Sequence, residues 1–105
     1  MDQGSVLGII SRFRKAVEAR GVAIDKIVLY GSHARGAAGE ESDIDLIVIS
    51  RDFERKNYWQ RIELLSDAIY EVLEPIEAVA MTPDEWETGE SLLVDFAKNG
   101  QVVVG

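Results

Sequence analysis

Ile27-Val28-Leu29-Tyr30-Gly31-Ser32-His33-Ala34-Arg35-Gly36 is followed, five residues later, by Ser42-Asp43-Ile44-Asp45-Leu46-Ile47-Val48-Ile49. The first stretch opens on a β-branched and aromatic run that stops at Gly31-Ser32, as a buried strand does. The second is a buried strand in every respect but one: two aspartates stand at its entrance. Strand side chains alternate, so Asp43 and Asp45 share one face while Ile44 and Leu46 point to the other, into packing. Adjacent carboxylates repel, and at the mouth of an apolar strand they cost stability unless a cation sits between them or each finds its own donors.

Outward from this pair, apolar residues at spacings of three and four (Val6, Ile9, Ile10, Phe13, Val17) predict a helix from Val6 to Arg20, capped by Ser5 and ended by Gly21. A short helix is expected to open at Ser32. After the second strand, Tyr58, Ile62, Leu65, Ile69 and Val72 predict a long helix from Glu54 to Leu73, stopped by Pro75. Ile76 to Met81 reads as a third strand interrupted by Glu77. Thr82-Pro83-Asp84-Glu85 carries a cap, a Pro at the first helical position and an acid three residues after the cap, which marks another helix start. A last helix spans Ser91 to Lys98, ended by Asn99-Gly100, and Val102 to Val104 is too short to decide as an edge strand. The fold class is α/β or α+β, with a small mixed sheet of three to four strands covered by helices.

At 105 residues, 47% hydrophobic and 29% charged, the chain is expected to be one globular domain, residues 1–105. No apolar run approaches the roughly 20 residues that span a bilayer, and Met1 to Ile10 lacks the basic and small-residue pattern of a secretory signal, so a cytoplasmic protein without membrane contact is predicted. No cysteine and a single histidine exclude thiolate and multi-histidine metal sites, which leaves oxygen ligands for any metal. The net charge of −8 disfavours nucleic acid as a partner. Arg12, Arg14, Lys15 and Arg20, and Arg51, Arg55, Lys56 and Arg61, have acids among or just after them and read as solvated faces. Trp59 and Trp86 lie off the apolar stripes and mark either a contact surface in an oligomer or peripheral packing.

Magnesium is usually held by one or two carboxylates plus substrate phosphates, the ligand set that Asp43 and Asp45 supply; a solvated turn with a chance spacing is the plain alternative. Gly31 lets backbone approach a ligand, Ser32 brings a hydroxyl, and free N–H groups at a following helix start suit phosphate. Arg35 either contacts phosphate or braces the aspartate strand. His33 is given no role. Glu77 is either a solvent-facing residue or, on a strand beside Asp45, a third carboxylate able to take a proton.

Together, the Gly-Ser turn, the Asp-x-Asp strand and the later carboxylate resemble the signature of the DNA polymerase beta-like nucleotidyltransferase superfamily, most closely its minimal nucleotidyltransferases. The similarity runs over Ile27 to Ile49 and more loosely through Glu77 to Trp86. It implies a nucleotidyltransferase fold, a triphosphate tail on Gly31 and Ser32, and one or two Mg2+ ions on Asp43 and Asp45. Glu77 completes the site as metal ligand or base; many relatives have aspartate there, and the extra methylene favours the base role. The resemblance further implies ATP as substrate and transfer of AMP to a hydroxyl, a tyrosine first, of a helical HEPN partner protein, in a toxin-antitoxin pair. A non-catalytic, nucleotide-binding antitoxin is the alternative. Larger relatives add a domain for the acceptor, so acceptor recognition is expected to come from another molecule.

Overall fold

The computed structural model describes residues 3–34, 36, 43–89 and 92–105, with backbone alone at 3, 4, 92 and 96. The elements are α1 (Gln3–Glu18), β1 (Lys26–Tyr30), β2 (Ile44–Ile49), a 3-10 turn (Arg51–Arg55), α2 (Tyr58–Val72), β3 (Ile76–Met81), α3 (Pro83–Thr88), α4 (Leu92–Ala97) and β4 (Gln101–Val104). One mixed sheet runs in the order β3-β2-β1-β4. β2 pairs antiparallel with β1, β1 antiparallel with β4, and β2 parallel with β3. The expected α+β class with a small mixed sheet is what the chain adopts.

Alternation along the strands gives the sheet two apolar faces. Ile27, Leu29, Ile44, Leu46 and Val48 pack against Phe13 and Val17 of α1, Leu65 and Ala68 of α2, and Phe53. Val28, Tyr30, Ile47, Ile49 and Met81 face Val94 and Ala97 of α4, with Trp86 and Leu93 at the margin. Phe13 and Phe53 are completely buried, each stabilising the fold by about 2–3 kcal/mol. Gly100 matters for closure, because a Cβ there would lie 2.4 Å from the Leu29 carbonyl; only glycine lets the chain enter β4 this close to β1.

Several predicted boundaries shift for local reasons. α1 begins at Gln3, so Ser5 lies within the helix rather than capping it, and the helix ends at Glu18 in a turn through Gly21, whose φ is +88°. The predicted helix from Glu54 is two elements. Ser50 caps the 3-10 turn by accepting from the Asp52 N–H, and α2 restarts at a capping box in which Asn57 and Gln60 each accept the other's backbone N–H at 2.8 Å. Arg61 joins the pieces, donating through Nη2 and Nε to the Phe53 carbonyl at 2.7 and 3.0 Å. Ser32–Ala34 form turns rather than a helix opening at Ser32, with the Gly36 N–H reaching the His33 carbonyl at 3.4 Å. α4 is described from Leu92, Ser91 lying outside the described residues.

Several of the basic residues pair with acids. Arg12 meets Glu74 at 3.3 Å and Arg20 meets Glu71 at 3.1 Å, fastening α1 to the end of α2. Trp86 packs at the core margin, whereas Trp59 is 72% exposed. Among the described residues no helix is long and apolar enough to cross a membrane.

α3 begins at the predicted capping box. The Glu85 carboxylate accepts from the Thr82 N–H at 2.7 Å and from Arg61 at 2.8 Å. Burial pushes the Glu85 pKa up, but the Thr82 N–H and the Arg61 guanidinium outweigh it, and the net value falls below 4.5. A carboxylate lowered by folding stabilises the native state above its unfolded pKa, and that contribution disappears as pH falls through the folded value. The carboxylate is half exposed and screened by water, so urea unfolding is expected to show Glu85→Gln less stable than the parent by at most about 1 kcal/mol at pH 7, with the gap closing as pH falls below about 4.

Candidate active site

The parallel register of β2 and β3 sets Asp45 directly beside Glu77, and the antiparallel register of β1 and β2 sets Tyr30 on the other side of Asp45. Tyr30, Asp45 and Glu77 form a row across three strands, on the sheet face that α4 partly covers. Asp43 stands one residue before β2. Its carboxylate and that of Asp45 each share a hydrogen bond with Glu77, so the three predicted acids converge at one end of the sheet.

Gly31 closes the arrangement. It follows β1 directly with φ +73°, and a Cβ there would sit 2.3 Å from Asp45 Oδ2. Glycine serves twice at this position, since an L side chain is strained at that φ and would also strike the carboxylate. Ser32 is half-buried in the following turn. Arg35, predicted to contact phosphate, lies outside the described residues, as does Ser42.

Electrostatics follow from the crowding. Asp45 is raised above the ordinary carboxylate value first by burial and then by Asp43, with Glu77 and His33 pulling the other way. Glu77 is raised by the charges of Asp43 and Asp45. Tyr30 is raised by burial, then by Asp45 and Glu77. Among the described residues no lysine or arginine pairs with the three acids. The donor set is all oxygen and strongly negative, which fits a hard divalent cation such as magnesium better than zinc. No three such side chains among the described residues form a ready metal cage. The acids bond one another, and two carboxylates completed by phosphate oxygens are the set this end of the sheet offers a cation.

Two residues at the site escaped sequence reasoning. His33, given no role, is buried and helps to offset the charge of Asp45. Tyr30 read only as the last residue of a strand. Its signal was its place before Gly31, but the pairing with Asp45 depends on a strand register that no local pattern encodes.

Two variants check this geometry. Gly31→Ala is expected to lower urea-unfolding stability by about 2 kcal/mol, from the left-handed backbone and the collision with Asp45. Asp45→Asn is expected to do the opposite, raising the Tm of chelator-treated protein at pH 7 by a few degrees, because it removes a charge that is penalised first by burial and then by Asp43. A lower Tm for that variant would show that Asp45 is held by stabilising donors rather than crowded by like charges.

Residues 10–100 match the model of the nucleotidyltransferase domain family. Two proteins of Methanocaldococcus jannaschii, each named putative protein adenylyltransferase, are similar. One is 34% identical over 74 residues, covering 70% of this chain and 50% of that protein; the other is 31% identical over 58 residues, 54% of this chain and 59% of that protein. The chain thus spans about half the length of these relatives. A crystal structure of a nucleotidyltransferase, described as putative, from Sulfolobus solfataricus superposes with a TM-score of 0.71 at 18% identity, over 95% of this chain and 80% of that one. A toxin-antitoxin crystal structure with AMP-PNP superposes with a TM-score of 0.66 at 20% identity, over 90% and 72%. At those identities the structural matches establish the fold. With nearly the whole chain matched by the family model, over the Gly31 turn, the Asp43 and Asp45 strand and Glu77, this chain belongs to the nucleotidyltransferase domain family.

Proposed function

We propose that the chain transfers AMP from ATP, with magnesium, to a hydroxyl of a partner protein, a tyrosine of a helical HEPN-class toxin, and so acts as the antitoxin of the pair. One observation carries the enzymatic part of this: the convergence of Asp43, Asp45 and Glu77 at the end of the sheet where the Gly31 turn permits close approach. Family membership supports nucleotidyl transfer. The names of the Methanocaldococcus relatives and the toxin-antitoxin neighbour support a protein acceptor.

In this mechanism Gly31 and Ser32 admit the triphosphate tail, and Arg35 contacts it. Asp43 and Asp45 would hold magnesium, which would supply neutralisation of negative charge on the triphosphate. Glu77 stands beside Asp45 as the proton acceptor, and the negative charges of its neighbours raise its affinity for a proton. As the acceptor oxygen bonds to the α-phosphorus, its proton passes to Glu77, the bridging bond to the β-phosphate breaks and pyrophosphate leaves with the electron pair. Positioning supplies most of the acceleration.

A binding-only antitoxin is the second reading, favoured by the lack of a ready three-ligand cage among the described residues. Incubation with α-labelled ATP, magnesium and the helical partner decides between them. The expected result is label on the partner, reduced about a thousandfold by Asp43→Asn with Asp45→Asn, and about a hundredfold or more in kcat by Glu77→Gln. An unlabelled partner that is neutralised equally well by the double variant establishes the binding-only role.

A further inference from the structure

β3 is an outer strand of the sheet, and among the described residues only β2 pairs with it. The Pro75 and Met81 carbonyls accept from the Ile44 and Ser50 N–H groups on the β2 side. By strand alternation, Ala78 and Ala80 turn their backbone groups to the free edge. Outer strands are commonly guarded by lysine, proline or a bulge. From Ile76 to Met81 there is no lysine or proline, and the sole charge, Glu77, belongs to the candidate active site.

Both sheet faces are hollow along this edge. On the α2 side a groove of about 220 Å3 is lined by Tyr58, Ile62, Leu65, Ala78 and Ala80. Another, of about 350 Å3, continues round the edge toward α3 and α4, lined by Tyr58, Met81, Thr88 and Val94 together with the Arg61–Glu85 ion pair, Arg61 bordering both hollows. The apolar surface continues outward onto α2, where Tyr58 and Trp59 are 68% and 72% exposed. An added strand sends successive side chains to opposite faces, so it fills both hollows while its backbone pairs with Ala78 and Ala80. A docked helix fills one hollow and leaves the edge unpaired.

We infer that the free edge of β3 receives an extended segment of the acceptor protein, β-branched or apolar over about five residues and basic at its ends. The basic ends follow from charge: the chain carries −8, and Asp84 and Glu87 lie exposed on α3, the helix that follows β3. A second copy brings the same charges and is repelled. This deepens the protein-acceptor proposal and rests on it for the partner's identity, since a strand laid on β3 passes Glu77 and delivers its protein to the carboxylates.

The test uses the intact chain without nucleotide and a capped nonapeptide of valine, isoleucine and threonine between paired lysines. Amide hydrogen exchange at Ala78 and Ala80, followed by NMR, is expected to slow by about tenfold or more at saturation. A peptide with glutamates for the lysines is expected to bind at least about tenfold more weakly. Ile62→Lys, at the rim of the α2 groove, is expected to weaken binding about tenfold with an unchanged Tm. Unaltered exchange at both alanines overturns the proposal, as does equal binding of the glutamate peptide. Protection that grows with protein concentration and needs no peptide also overturns it and assigns the edge to a second copy. Because exchange needs no turnover, failed transfer with retained protection refutes the enzymatic reading alone, whereas transfer without protection refutes the docking edge alone.

Discussion

Three acids at one end of a sheet repel one another, and the rest of this small protein is arranged so that they stay together. Asp45 and Glu77 are neighbours because β2 and β3 run parallel in register, and Asp43 joins them from just before β2. The cost appears as the upward pressure on Asp45 and Glu77. It is met from the far side of the sheet, where Ile44, Leu46 and Val48 are fully buried against the helices. A strand gripped on one face tolerates unfavourable charge on the other.

The same economy explains the surrounding elements. The Gly31 turn must come close to Asp45, and its positive φ and missing side chain permit this. At the opposite end, Ser50 donates to the Ala23 carbonyl and caps the 3-10 turn, while Asp52 accepts the Ala23 N–H, so the strands are stitched where no chemistry is needed. α2 and α3 are tied through Arg61 and Glu85, which fixes the helices on either side of β3. The acids and the outer strand β3 lie outside these ties.

Much of this was legible in residue order. Thr82-Pro83-Asp84-Glu85 announced its capping box, Gly31-Ser32 its turn, and Asp43 and Asp45 their shared destination. The long helix misled because no proline or glycine separates Glu54 from Tyr58, while the break depends on Asn57 and Gln60 accepting each other's N–H groups. A helix was expected at Ser32 because glycine and serine often open one, but two positive-φ glycines, Gly31 and Gly36, bracket a set of turns instead.

The sequence by itself determined most of the helices and strands and their apolar faces, since periodicity and turn chemistry act between residues a few positions apart. Only the tertiary structure decided that Glu77 lies beside Asp45, that Tyr30 and His33 border the acids, that Gln101–Val104 pairs with β1, and that β3 is an outer strand of the sheet. Strand order and register are chosen by packing between segments far apart in the chain, and a shift of one residue would turn every side chain of a strand to the other face.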